Sequence, residues 1–183
     1  METQLIKKAY NFAKIKHDGQ TRDDGTNYIV HPLNVSKIIE NYIKDDKLET
    51  LIIASLLHDT LEDTNTTFEE IEKNFGKEAA NLVLELTSSF DEVKKVGKEK
   101  YLSKKMVEMS NDALIIKLAD RLNNVSDLKT SNADKRKRYL IETKNILNYL
   151  IANRELLKTQ QSLVNAIFKE MESYKNLERI WKK

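Results

Sequence analysis

A chain of 183 residues with four glycines and one proline has few places to turn sharply. Proteins built from hairpins need many more such residues. The sequence therefore predicts an all-α fold of helices joined by short polar loops. Apolar residues recur at helical spacing along nearly the whole length. Leu5, Ala9, Phe12 and Ala13 mark one face of a first helix over roughly 3–16. Residues 17–27 contain no apolar side chain and hold Gly19 and Gly25, so they read as a loop. Tyr28-Ile29-Val30 then re-enters the core, and His31-Pro32 opens a second helix. Pro32 suits a first helical position, where its missing N–H costs nothing. That would put His31 at the cap with its ring free to turn inward.

Further helices are expected over about 48–62, 67–75, 78–86, 99–109, 112–128, 135–153 and 161–180. Thr67 and Glu70 read as a capping box, and Phe75-Gly76 as that helix's stop. Residues 88–97 read as a loop. The last two helices carry core stripes of Tyr139, Thr143, Ile146 and Leu150, then Leu163, Ile167 and Met171. Trp181 is expected to dock the charged tail after Lys175. No repeat or linker interrupts the pattern, so residues 1–183 are expected to form a single domain, a bundle of about eight to ten helices.

The charge balance excludes several roles. Lys and Arg number 31 against 29 Asp and Glu, a net charge of +2 that does not suit a general nucleic-acid binder. The run Lys135-Arg136-Lys137-Arg138 reads as a solvated face, with binding to nucleotide phosphates or RNA left open. With no cysteine there are no disulfides, thiolate metal sites or cysteine nucleophile. The longest apolar stretch, Leu51 to Leu57, is too short to cross a membrane, and the N-terminus lacks a signal-peptide core. A cytoplasmic location is the expectation.

The informative anomaly is the sequence Leu56-Leu57-His58-Asp59-Thr60-Leu61-Glu62-Asp63. An apolar helix ends in one imidazole and three carboxylates. In a continuous helix His58 pairs with Glu62 and Asp59 with Asp63, four residues apart. Carboxylates are disfavoured at a helix C-terminus, and buried ones repel each other and resist desolvation. A divalent metal would resolve the conflict. A second apolar helix carries Asp120 in its middle, with Lys117, Asn124 and Asp127 on the same face. Such a carboxylate usually has a cation partner, and Lys117, three residues earlier, is one choice. His31, His58, Asp59 and Asp120 together make a set of two imidazoles and two carboxylates. It suits manganese, iron or catalytic zinc. A metal held this way activates water near neutral pH and polarises a phosphoryl oxygen. Glu62 and Asp63 lie one turn beyond, placed to accept the water's proton or to orient the water. His17 reads as structural, at the end of the first helix where a protonated ring complements the dipole.

His31, then His58-Asp59, then a distant Asp120 resembles the pattern of HD-domain metal-dependent phosphohydrolases. The flanking motifs narrow the likeness. His17-x-Gly-Gln-x-Arg22, Tyr28-Ile-x-His31-Pro, Leu-Leu-His58-Asp59-Thr-x-Glu62-Asp63-Thr and Lys117-Leu-Ala-Asp120-Arg-Leu-x-Asn124 resemble the hydrolase domain of the Rel/Spo stringent-response enzymes. No nucleotidyltransferase-like domain follows in the chain, which therefore looks like a stand-alone small alarmone hydrolase. The resemblance implies a manganese-dependent enzyme that removes the 3′-pyrophosphate from guanosine tetra- or pentaphosphate, returning GDP or GTP. It makes His31, His58, Asp59 and Asp120 the metal ligands and Glu62 and Asp63 the pair that positions and deprotonates water. It places Arg22 on the guanine face and Asn124 near the ribose, with Lys117 as a further candidate substrate contact. The implied partner is a small guanine nucleotide.

Two positions depart from that family. Asp23 stands where many relatives carry Lys, and Ser126 where many carry Arg. Both changes remove a cation that meets phosphate. Lys117, Arg121, Lys129 or Lys94-Lys95 are candidates to replace it. Two alternatives stay open: an HD-type hydrolase acting on NADPH, a nucleoside monophosphate or a pyrophosphorylated RNA end, and a non-catalytic alarmone-binding or toxin-neutralising protein.

Overall fold

The computed structural model describes the backbone of residues 3–181 and the side chains of residues 3–174. The expected dock of Trp181 lies outside the described side chains. The helices are α1 (Gln4–Lys16), α2 (Val30–Tyr42), α3 (Leu48–Leu57), α4 (Thr60–Asp63), α5 (Phe68–Phe75), α6 (Lys77–Leu86), α7 (Phe90–Val96), α8 (Lys98–Glu108), α9 (Asn111–Asp127), α10 (Ala133–Asn153) and α11 (Lys158–Trp181). A 3-10 turn, Leu128–Thr130, joins α9 to α10. There is no β-strand among the described residues. One isolated antiparallel bridge, Thr21 to Asn27, closes the loop between α1 and α2.

Helix α3 is the hub. It packs on α1, α2, α6 and α9. Every residue from Leu51 to Leu57 is buried, as an all-round apolar helix requires. Each buried leucine or isoleucine there contributes about 2 kcal/mol. Helix α9 is the second buried element, packed against α2, α6 and α11. The Tyr174 hydroxyl on α11 donates to the Val125 carbonyl at 2.7 Å, fixing the end of α9. No helix among the described residues is long and apolar enough to cross a membrane.

All nine helices expected from the sequence are present, and two segments are added. Helix α7 forms where a loop was expected. Ser89 caps it by accepting from the Glu92 N–H, but it buries no residue and so leaves no apolar stripe in the sequence. Helix α4 arises because the expected helix 48–62 breaks at His58-Asp59. There, side chains compete with the helix for its carbonyls: His58 Nδ1 binds the Ser55 carbonyl and the Thr60 hydroxyl donates to Leu57.

Two local readings also shift. Helix α2 begins at Val30 with Ile29 at its cap, so Pro32 is its third residue and His31 its second, two positions inside the cap rather than at it. The chain already turns at 27–31, where Val30 N–H donates to Asn27 and His31 N–H to Tyr28. A third-position N–H is still free of the helical ladder, so the proline costs nothing there. At Thr67 only half of the capping box forms. The hydroxyl accepts from Glu70 N–H, while the Glu70 carboxylate pairs with Lys16 at 2.8 Å.

Candidate metal centre

Three elements converge on one point. Helix α2 supplies His31, the end of α3 and the link after it supply His58 and Asp59, and α9 supplies Asp120. His31 and His58 are each 2% exposed and Asp120 6%. His31 Nε2 lies 3.3 Å from Asp120 Oδ1 and 3.7 Å from Asp59 Oδ2. His58 Nε2 lies 3.1 Å from Asp59 Oδ2 and 4.0 Å from Asp120 Oδ1. One ligand atom from each of His31, His58 and Asp120 falls within 4.8 Å of the others. Donors about 2.1 Å from an ion and at right angles lie about 3 Å apart, so these spacings fit a common divalent ion.

Hydrogen bonds behind the site select the ring tautomers. His58 Nδ1 sits 2.7 Å from the Ser55 carbonyl oxygen, which only accepts. Nδ1 therefore always carries a proton, and it is Nε2 that loses its proton, exposing a lone pair toward the carboxylates, when the ring becomes neutral. That Nε2 is buried and has no hydrogen-bond partner. His31 Nδ1 sits 2.8 Å from Asn123 Oδ1. The Asn123 amide nitrogen donates to Asp127 Oδ1 at 3.2 Å, which fixes the amide with its oxygen toward His31. His31 Nε2 is thus also the bare nitrogen. Imidazoles held by a partner on the far nitrogen are the usual form of histidine metal ligands.

The charges demand a cation. Burial alone would lower the pKa of His58, but Asp59 and Asp120 raise it to about 9. Burial opposes the ionised form of Asp59, yet the His58 charge holds its carboxyl below the usual range. Asp120 is likewise held low against burial, by Lys117 first and then by the two imidazoles. Lys117 Nζ is 2.9 Å from Asp120 Oδ2. One lysine and a proton offset the carboxylates here, and a divalent ion would take the proton's place. The orphaned His58 nitrogen and the oxygen and nitrogen donors fit such an ion.

Around the centre, Tyr28 donates its hydroxyl to Asp59 Oδ2 at 2.6 Å and reaches Asp63 Oδ2 at 3.4 Å. Burial and the neighbouring carboxylates push the phenol well above its usual pKa, so it stays a donor. Asp63 stands at the solvent edge, its pKa raised by partial burial, then by Asp59 and Glu62. The Asp63 N–H donates to the Asp59 carbonyl, keeping those two on one turn despite the break. Glu62 turns away and accepts the Ser88 N–H at 2.7 Å. Thus Asp59 and Asp63 share the face expected from their spacing, and the His58–Glu62 pairing is lost at the break.

A cavity of about 440 Å³ opens beside the centre, lined among others by Arg22, Tyr28, His31, Asn124, Lys135 and Tyr139. Its loop wall is shaped by Gly25 at φ +83°, a conformation that favours glycine, and by Asp24, which accepts from the Thr26 N–H and hydroxyl. Arg22 Nη2 donates to Asn124 Oδ1 and Asp127 Oδ2, both at 2.8 Å. The Asn124 amide in turn donates to Asp120. His17 stacks on Tyr28 with ring centres 4.6 Å apart and braces Gln20, whose amide donates to the Asp63 carbonyl. That matches its structural reading.

The structure therefore brings His31, His58, Asp59 and Asp120 together, sets Asp63 beside them, and lines the cavity with Arg22 and Asn124. Lys117 is spent on Asp120 and does not line the cavity. Arg121 binds Glu142 at 3.2 Å and Lys129 binds Glu170 at 3.1 Å, so neither supplies the missing cavity cation. Sequence reasoning missed Tyr28, Asn123 and Asp127 as supports. Their signal was weak: Tyr28 lies three residues before His31, and Asn123 stands between Asp120 and Asp127.

Comparison with known proteins agrees with this geometry. The HD-domain family model matches residues 9–156. The guanosine-3′,5′-bis(diphosphate) 3′-pyrophosphohydrolase of Aquifex aeolicus is 38% identical over 97% of this chain, which spans 27% of that protein's length. The enzyme of the same name from Xenopus tropicalis is 43% identical over 70% of this chain and 72% of its own. A solved structure, described as a metazoan ortholog of SpoT that hydrolyzes ppGpp, superposes with a TM-score of 0.76 at 29% identity, covering 92% of this chain and 96% of that one. With two imidazoles and two carboxylates gathered from α2, the α3 end and α9, the chain belongs to the HD-domain family.

Proposed function

We propose that this chain is a manganese-dependent hydrolase that removes the 3′-pyrophosphate of guanosine 3′,5′-bis(diphosphate) or its pentaphosphate, giving GDP or GTP and pyrophosphate. The reading treats residues 1–183 as one HD-type domain. The observation that carries it is the adjacency of the His31–His58–Asp120 cluster, with Asp59 beside both imidazoles, to the 440 Å³ cavity, a volume that suits a nucleotide. The names of the Aquifex and Xenopus relatives supply the substrate class.

His31, His58, Asp59 and Asp120 would hold the metal. When bound, the metal supplies Lewis-acid polarisation of the phosphoryl oxygen and eases ionisation of water. Asp63 takes the proton from the attacking water, a task that its raised pKa favours. Tyr28 holds the Asp63 and Asp59 carboxylates in register. Glu62 steadies the Ser88 connection and, swung back, orients the water with Asp63. The water oxygen bonds to the phosphorus beside the ribose 3′ oxygen. The P–O3′ bond breaks, the 3′ oxygen gains a proton, and pyrophosphate departs. Arg22 presents a planar guanidinium above Tyr28, at 5.9 Å, as a platform for the guanine. Asn124 offers the ribose a hydrogen bond.

The test is purified protein, chelated and then reloaded with manganese, iron or zinc, given guanosine tetraphosphate and a panel of other nucleotides. GDP and pyrophosphate released in equal amounts, most with manganese, is the expected result. Inorganic phosphate released from other nucleotides, with guanosine tetraphosphate untouched, would overturn the reading.

A further inference from the structure

The cavity wall carries two cations, Arg22 and Lys135, and three carboxylates, Asp23, Asp24 and Asp127. A substrate with several phosphates would meet a wall with one more negative than positive group. Arg22 turns one guanidinium nitrogen, Nη2, to Asn124 and Asp127, so part of its charge is already paired. Lys135, in the first turn of α10, is the other cation, and its ammonium is bonded to Asp23 across the cavity rim. Both side chains of that pair are largely open to solvent, 43% for Lys135 and 64% for Asp23. The pair ties the loop before α2 to α10, the two walls between which a nucleotide would sit.

We propose that Asp23 is a built-in competitor for the substrate's phosphates. It occupies Lys135, the one solvent-facing ammonium among the described residues lining the cavity, and a phosphate must displace it to bind. The Asp23–Lys135 pair is then a specificity device. It weakens every anionic ligand by the fraction of time the pair is closed, and it favours ligands with enough charge to open it. Asp23 sits on the loop and Lys135 on the helix, so opening the pair also frees the rim to admit the ligand. This inference rests on the nucleotide-hydrolase reading for its substrate, but the displacement itself is a property of the rim.

An exposed ion pair shifts an equilibrium by up to about fivefold. Asp23→Asn is therefore expected to lower the KM for guanosine tetraphosphate about fivefold while kcat moves less. Asp23→Glu keeps a carboxylate within reach of Lys135 and should stay near the parent value. Lys135→Ala should raise KM, and Lys135→Arg should restore most of the loss. The decisive comparison is Asp23→Asn in the Lys135→Ala background. There the gain should shrink to less than about twofold, because only screened repulsion remains to be relieved. An equal gain in both backgrounds would mean that Asp23 acts as bulk charge, and no gain in either would mean that the pair never opposes the ligand. Either result overturns the proposal. The parent, Asp23→Asn, Lys135→Ala and the double variant, manganese-loaded, are titrated calorimetrically with inorganic pyrophosphate, which needs no turnover. Failure to hydrolyse guanosine tetraphosphate would remove the substrate reading, and the pyrophosphate titration would still decide the role of Asp23.

Discussion

The Asn123 amide oxygen accepts a hydrogen bond from His31 Nδ1 at 2.8 Å. This contact, buried between α2 and α9, holds the imidazole with its bare nitrogen toward Asp59 and Asp120. Removing such a partner typically costs a metal site 10- to 100-fold in affinity. Asn123→Ala should therefore weaken manganese binding by about that factor and lower activity at limiting metal. Excess metal should restore most of the activity, because His31 itself remains. Activity unchanged across a metal titration would show that the amide does not orient the ring.

Asp120 faces two groups at once, the imidazoles of the centre through Oδ1 and the Lys117 ammonium through Oδ2. Asp120→Asn should abolish metal binding and turnover. It also leaves the Lys117 ammonium buried without its partner, which costs about 3 kcal/mol. Over a chain of this size that corresponds to a fall of roughly 10 °C in Tm, with the helical circular-dichroism spectrum at room temperature retained. Adding Lys117→Met should recover the Tm and not the metal. If the double variant melts as low as the single one, Asp120 has a structural duty beyond its pairing with Lys117.

How much of this was legible in the sequence follows from which forces act locally. The four candidate ligands stood out because carboxylates and imidazoles are expensive on apolar helices, and that conflict is visible in the sequence. The i−3 pairing of Lys117 with Asp120 was legible for the same reason, being set by helix geometry alone. The break at His58-Asp59 was not, since it depends on His58 and Thr60 side chains competing for carbonyls of α3. Helix α7 escaped notice because it buries nothing. Tyr28, Asn123 and Lys135 act through partners 31, 92 and 112 residues away. No spacing rule reaches that far.

The raised pKa of His58, about 9 against an unfolded value near 6.5, makes two linked forecasts for the chelated protein. A histidine whose folded pKa is raised stabilises the fold fully below its unfolded pKa. That contribution is lost as pH rises through the folded value. The chelated protein should therefore lose Tm between about pH 6.5 and 9. Asp59 and Asp120, held low, add stability that is present above pH ~4 and lost as the solution becomes more acidic. Metal needs the neutral ring, so binding at pH 7.5 should release about one proton per ion. Calorimetric titration of manganese in two buffers of different ionisation enthalpy measures that number. Identical heats in both buffers would contradict a protonated His58.

Among the described residues, Tyr28 is the one neutral donor that touches both a candidate ligand carboxylate and the edge carboxylate, through Asp59 at 2.6 Å and Asp63 at 3.4 Å. Its hydroxyl bond favours the ionised form of Asp63, while burial, Asp59 and Glu62 oppose it. Tyr28→Phe deletes only the oxygen and keeps the ring packed between His17 and, edge-on, His31. The Asp63 pKa should then rise further. A base with a higher pKa is protonated at higher pH, so the acid limb of kcat should move upward. A loss of one hydrogen bond to a charged group, about 1.5 kcal/mol, corresponds to roughly tenfold in kcat at neutral pH. KM should change little, since the hydroxyl faces the carboxylates. The pH profile separates this from a purely structural role: a uniform fall in kcat with an unmoved acid limb would mean that Tyr28 supports the site without tuning Asp63.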